Sequence, residues 1–128
     1  MGEIKESKVA IVTGAASGIG AALTRHLIDT NHLVLGVDIN SSKLNALSDD
    51  TGCATIVGDI AREEFNQSVA SHANEVFGRL DYVFLNAGIL GRDIELQGTE
   101  FKIDDLDQAK YHKTRSINFD AVVFGTIA

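Results

Sequence analysis

Thr13-Gly14-Ala15-Ala16-Ser17-Gly18-Ile19-Gly20 joins an apolar run to a helical pattern through three glycines. The run before it, Val9-Ala10-Ile11-Val12, is short and rich in β-branched residues, as a strand covered on both faces requires. After it, Ile19, Leu23 and Leu27 recur at helical spacing. A strand that turns straight into a helix leaves the first helical N–H groups unpaired, with about half a positive charge at that end. Such a turn suits an anion. Gly14 fits the tight bend, Gly18 has no Cβ to hold a pyrophosphate away, and Gly20 lets helix and strand pack closely. Ser17 and Ile19 share the turn and join these glycines as candidate cofactor contacts. The alternative is an ordinary glycine-rich βα loop.

Working outward, apolar runs alternate with helical patterns, the signature of βαβ units and a parallel sheet. A first strand is expected over Lys8 to Val12 and a helix over Ser17 to Thr30. Leu33 to Val37 is a second strand, ending in Asp38, and Ser41 is placed to cap a short helix whose inner face is Leu44 and Leu47. A third strand runs from Cys53 to Val57 and ends in Gly58-Asp59. Phe65, Val69, Ala73, Val76 and Phe77 then define an amphipathic helix over Arg62 to Phe77. Leu80 to Leu85 is the fourth strand, with Asn86-Ala87-Gly88 as its turn. From Ile89 to Ile103 the periodicity fails and a loop is expected. Asp104-Asp105 opens a last helix that becomes apolar all round from Ile117 to Ala128, and such a helix is expected to be buried on every face. No polar or glycine stop follows it, so the chain is expected to end inside a helix, before the catalytic segment.

The chain of 128 residues, 45% of them apolar, suits one domain with a real core. A net charge of −7 argues against nucleic acid or an anionic membrane as partner, since both recruit Lys and Arg. The N-terminus is too polar for a signal peptide, and Glu6 stands where a myristoylation motif needs Ser or Thr, which points to the cytoplasm. Cys53 is the one cysteine, so no internal disulfide and no cysteine-based metal site is expected. The four histidines show no ligand spacing, and no metal is expected.

Asp38 ends the second strand about 20 residues past the glycine turn, where a carboxylate accepts from both adenosine ribose hydroxyls and repels a 2′-phosphate. With no Arg or Lys between Gly14 and Gly20, this favours NAD over NADP, although Lys43 lies close enough in sequence to soften the preference. The alternative is that Asp38 caps the following loop.

The Thr-Gly-x-x-x-Gly-x-Gly spacing of Thr13 to Gly20, together with Asn86-Ala87-Gly88, resembles the short-chain dehydrogenase/reductase family over about Lys8 to Ala128. The resemblance covers that family's N-terminal, cofactor-binding half. It implies a Rossmann-type, doubly wound parallel sheet, truncated, with at least four strands in order 3-2-1-4 over residues 1–128. Asp59-Ile60 matches the position where a carboxylate and the next N–H meet adenine, the alternative being a helix-terminal acid that complements the dipole. Ala61 departs from the hydroxyl cap usual there. By resemblance Asn86 braces the sheet, while Ala87 and Gly88 run beside the cofactor ribose. Asn118 matches a helix asparagine that holds a water in the catalytic proton relay, against the alternative of a core amide bonded to backbone.

The resemblance further implies oxidation of a secondary alcohol, or reduction of a carbonyl, by a Tyr followed four residues later by Lys, with Ser upstream. Neither tyrosine qualifies: four residues on, Tyr82 meets Asn86 and Tyr111 meets Arg115. Tyr111 reads instead as a helix-packing residue. The catalytic Ser, Tyr and Lys are therefore expected beyond Ala128, leaving this chain inactive alone. Its expected partners are a nicotinamide dinucleotide, a small alcohol or carbonyl once completed, and a second copy through the last helix. A non-catalytic dinucleotide-binding or assembly module is the rival reading.

Overall fold

The computed structural model describes residues 6–90 and 107–128. Four strands, β1 (Val9–Thr13), β2 (Leu33–Asp38), β3 (Ala54–Val57) and β4 (Tyr82–Phe84), form a parallel sheet in the order β3-β2-β1-β4. The order reverses at β1. Ile11 lies opposite Leu35 on one side and Val83 on the other, so the turns after β1 and β4 open at the same edge.

Between the strands run α1 (Gly18–Asp29), α2 (Ser41–Thr51) and α3 (Glu63–Phe77). Successive residues of a strand face opposite ways, and here each side has its own core. Ala10, Val12 and Val34 pack with Leu27, Leu44, Leu47 and Cys53 of the α1 and α2 side. Ile11, Leu35 and Val37 pack with Val69 and Ala73 of α3. Burial of each large aliphatic side chain here stabilises the fold by about 1.5–3 kcal/mol, which makes β1, buried along its whole length, the centre of the sheet.

Boundaries differ from the sequence expectation by one or two residues, and the differences have causes. Asn40, not Ser41, caps α2, because its extended backbone (φ −87°, ψ 94°) lets Oδ1 accept from Lys43 N at 3.0 Å. The fourth strand starts at Tyr82 because Asp81 is turned inward, its Oδ2 accepting from Val9 N at 2.8 Å. The third begins at Ala54.

The expected loop from Ile89 to Ile103 lies outside the described residues from position 91 onward, as does the expected helix start at Asp104-Asp105. Beyond them, Asp107 accepts from Ala109 N at 2.8 Å and caps α4 (Gln108–Arg115). A π-helical turn (Ser116–Asp120) leads without a break into α5 (Ala121–Ile127).

This last segment corrects two expectations. Only Ala121 is buried in α5, while Phe119 is 63% and Ile127 67% exposed. The helix lies outside the sheet against α3, so one side has a partner and the other faces outward. Tyr111 is not packed either: it is 48% exposed, with its ring edge-on to His112. No helix of the described residues is long and apolar enough to cross a membrane.

Candidate functional site

The turns after all four strands open into one cleft of about 550 Å³ at the carboxyl edge of the sheet. Its walls are Gly14, Ser17, Gly18 and Ile19 after β1, Val37, Asp38 and Ile39 after β2, and Gly58, Asp59 and Ile60 after β3. Asn86, Ala87, Gly88 and Ile89 after β4, with Ile117 from the π turn, complete it. Ligands of open α/β sheets bind where the strand order reverses, and this cleft lies there.

The first turn is built by close approach. A Cβ on Gly14, whose φ is +67°, would come within 2.9 Å of Ala87 Cα, and one on Gly20 would strike the Gly14 carbonyl. Gly18, at φ +52°, borders open space. Ala15 N is used by Val37 O at 3.1 Å and Ala16 N by Asp38 Oδ2 at 3.0 Å. The N–H groups of Ser17, Gly18 and Ile19, by contrast, have no acceptor among the described residues. Unpaired donors at a helix start are a ready anion site.

Asp38 does cap its loop, since Oδ1 accepts from Asn40 N at 2.9 Å while Oδ2 holds the Ala16 N–H. Both bonds fix a carboxylate at the rim of the cleft beside the glycine turn. The third turn is tied to β2 by Gly58 N donating to Asp38 O at 3.0 Å. There, Asp59 Oδ1 accepts from Ala61 N at 2.9 Å, and the Ile60 N–H has no acceptor among the described residues. A carboxylate next to a free donor can pair with a ligand edge that offers a donor beside an acceptor.

Asn86 Nδ2 donates to Thr13 O at 3.1 Å, tying the fourth turn to the end of β1. The Thr13 hydroxyl, 3.4 Å from Phe84 O, accepts from Ala87 N at 3.2 Å. Asn118 closes a two-bond ring with the backbone of one residue: Oδ1 accepts from Ile89 N and Nδ2 donates to Ile89 O, both at 2.8 Å. Its amide is thus bonded to backbone by both atoms.

All the cofactor-binding candidates except Gly20 line the cleft, and Gly20 shapes it from behind. Asn118 does not line it, though its neighbour Ile117 does. Sequence reading missed Val37, Ile39, Gly58, Ile89 and Ile117 as walls, and Thr13 as the hinge-pin of the fourth turn. The Thr in Thr-Gly was a visible signal for the last of these.

The described residues hold one paired Tyr and Lys, at the opposite edge of the sheet: Lys8 Nζ donates to Tyr82 OH at 2.9 Å, where the strands begin. That hydroxyl raises the Lys8 pKa above its ordinary value. Also at that edge, the Arg79 guanidinium and the Val9 N–H hold the Asp81 carboxyl below the usual carboxylate range.

A family model described as short chain dehydrogenase matches residues 8–128. Among curated proteins the chain is 33% identical over 117 residues to (+)-cis,cis-nepetalactol synthase NEPS3 of Nepeta racemosa, covering 88% of this chain and 41% of that one. It is 29% identical over 121 residues to the mitochondrial borneol dehydrogenase of Lavandula x intermedia, covering 94% and 44%. The chain spans under half the length of these relatives. Its backbone follows a 3-ketoacyl-(acyl-carrier-protein) reductase from Brucella melitensis, solved with NADH, at a TM-score of 0.83 and 22% identity, over 94% of this chain and 48% of that one.

Proposed function

The chain belongs to the short chain dehydrogenase family of oxidoreductases, and from that premise we propose that it is the NAD-binding part of an enzyme that interconverts a secondary alcohol and a carbonyl. The observation that carries this reading is the row of unpaired N–H groups at Ser17, Gly18 and Ile19, with the Asp38 carboxylate fixed beside it.

A nicotinamide dinucleotide bound here supplies the hydride acceptor or donor. The chain's residues bind and orient it. Ser17, Gly18 and Ile19 hold the pyrophosphate through their N–H groups at the positive end of α1. Asp38 accepts from the adenosine ribose hydroxyls with the oxygen lone pairs that Ala16 and Asn40 leave over, and its charge disfavours a 2′-phosphate. Asp59 and the Ile60 N–H meet the adenine edge. Asn86 fixes the turn that lets Ala87 and Gly88 run beside the second ribose. We assign Asn118 a positioning role, because both ends of its amide are committed to the Ile89 backbone and a relay water would have to meet another atom.

Within these 128 residues no tyrosine is followed four positions later by lysine. The chain on its own is therefore proposed to bind cofactor without transferring hydride, which is also what a non-catalytic dinucleotide module would do. The exposed apolar residues Phe119, Val123 and Ile127 favour self-association through the last helix.

Titration calorimetry with NAD tests the reading. The unmodified chain binds, and Gly18→Val binds at least about tenfold more weakly, because a side chain would enter the space for the pyrophosphate. Valine at φ +52° also strains the backbone, so a thermal melt of the variant accompanies the titration. Equal affinities would remove the turn from the cofactor site.

A further inference from the structure

We propose that Asn66 is a positioning residue that sets the Asp59–Ile60 turn to read adenine, and so determines which purine the cofactor carries; this rests on the dinucleotide reading above. Asn66 lies in α3, is 5% exposed, and sits on the helix face that Val69 and Ala73 bury. An apolar side chain would suit that place better for packing alone, since a buried amide is costly unless its bonds are satisfied. Its bonds are spent outside the core. Nδ2 donates to Ile60 O at 2.7 Å and to Arg62 O at 2.9 Å, the first reaching back past the helix start into the turn that walls the cleft.

The other ties of this turn bear on different groups. Gly58 is anchored to Asp38 O and covered by the Phe65 ring, and Arg62 N donates to Asp59 O at 3.2 Å. The Ile60 carbonyl has Asn66 as its one partner among the described residues. That carbonyl and the Ala61 N–H belong to one planar peptide and point opposite ways. With the carbonyl held by Asn66, the N–H is aimed at Asp59 Oδ1, which it meets at 2.9 Å. Asn66 thereby orients the Asp59 carboxylate through a rigid plate, and keeps it beside the free Ile60 N–H.

Adenine offers a 6-amino donor next to a ring-nitrogen acceptor, the complement of a carboxylate next to an N–H. Hypoxanthine offers a carbonyl oxygen and a ring N–H there instead, mismatching both. The full chain is titrated with NAD and with nicotinamide hypoxanthine dinucleotide, alongside Asn66→Val and Asn66→Asp, each checked by its melt. The unmodified chain prefers NAD by on the order of tenfold, one charged hydrogen bond's worth. In Asn66→Val the preference falls below about threefold. If that variant does not fold, the ratio is read on Asn66→Asp, which has the same shape without the donor. A variant that loses affinity for both dinucleotides equally, keeping the ratio, would show Asn66 to be merely structural and overturn the inference. So would an unmodified chain that binds both alike, with the cofactor reading intact. A chain that binds neither removes the cofactor reading itself.

Discussion

Asp38 does more in this fold than stand at the rim of the cleft. Its carboxylate joins the glycine turn, through Ala16 N at 3.0 Å, to the start of the next loop, through Asn40 N at 2.9 Å. Removing it therefore disturbs the glycine turn as well as the proposed ribose contact. Hydrogen bonds to a charged group are worth about 1.5–3 kcal/mol each when lost. Asp38→Ala is thus expected to narrow the gap between NAD and NADP and at the same time to weaken NAD binding by about tenfold or more. Calorimetry with both dinucleotides on both proteins decides it: unchanged NAD affinity in the variant, or a preference of the unmodified chain for NADP, would overturn the argument. Local constraints of this kind are partly legible in a sequence. Gly14 and Gly20 announce themselves because a close approach leaves no choice of residue. Thr13 is visible as part of Thr-Gly, but its role depends on Ala87, 74 positions away, and Asn66 gives no such sign because its meaning depends on a turn whose shape only the fold reveals.

Elements were legible where burial on both sides of the sheet imposed a pattern, and less so where one side chain ends a strand. The starts of β1 and β4 are clipped together by Asp81, which accepts from Val9 N and returns its own N–H to Val9 O at 3.0 Å. Arg79 grips the same carboxylate with two bonds, at 2.9 and 2.7 Å, and reaches Glu6 at 2.7 Å. Because the Asp81 pKa is lowered in the fold, first by Arg79 and then by the Val9 N–H, its contribution to stability is present above the usual carboxylate range. It is lost as pH falls through the lowered value. Asp81→Asn should accordingly lower the urea midpoint at neutral pH, with a deficit that shrinks as the solution is made acidic. A deficit constant from neutral to strongly acid pH would exclude this ionic contribution. The last helix departs from its pattern for another reason: apolar residues all round imply burial all round only if partners stand on every side, and the described residues provide α3 on one.

The whole molecule has a polarity. Parallel strands send every βα turn to one edge, where unpaired donors and two carboxylates line a cleft, and send strand starts to the other, where Asp81, Arg79 and the Lys8–Tyr82 pair close the sheet. Proton transfer at an alcohol needs a base within hydrogen-bond reach of the reacting oxygen, and such groups contribute typically about 10²–10⁴-fold. Tyr82, the tyrosine that has a lysine partner, is at the wrong edge for that role. Tyr111 stands in α4 with Arg115 four residues on, and its ring meets His112 at the surface. These 128 residues assayed alone are therefore expected to bind NAD and to form no NADH from secondary alcohols above background. The measurement compares the chain with Gly18→Val, since contaminating host dehydrogenases would give the same signal in both. Alcohol-dependent NADH formation that disappears in the variant would mean that a base already faces the cleft, and Tyr111→Phe would be the next substitution to make.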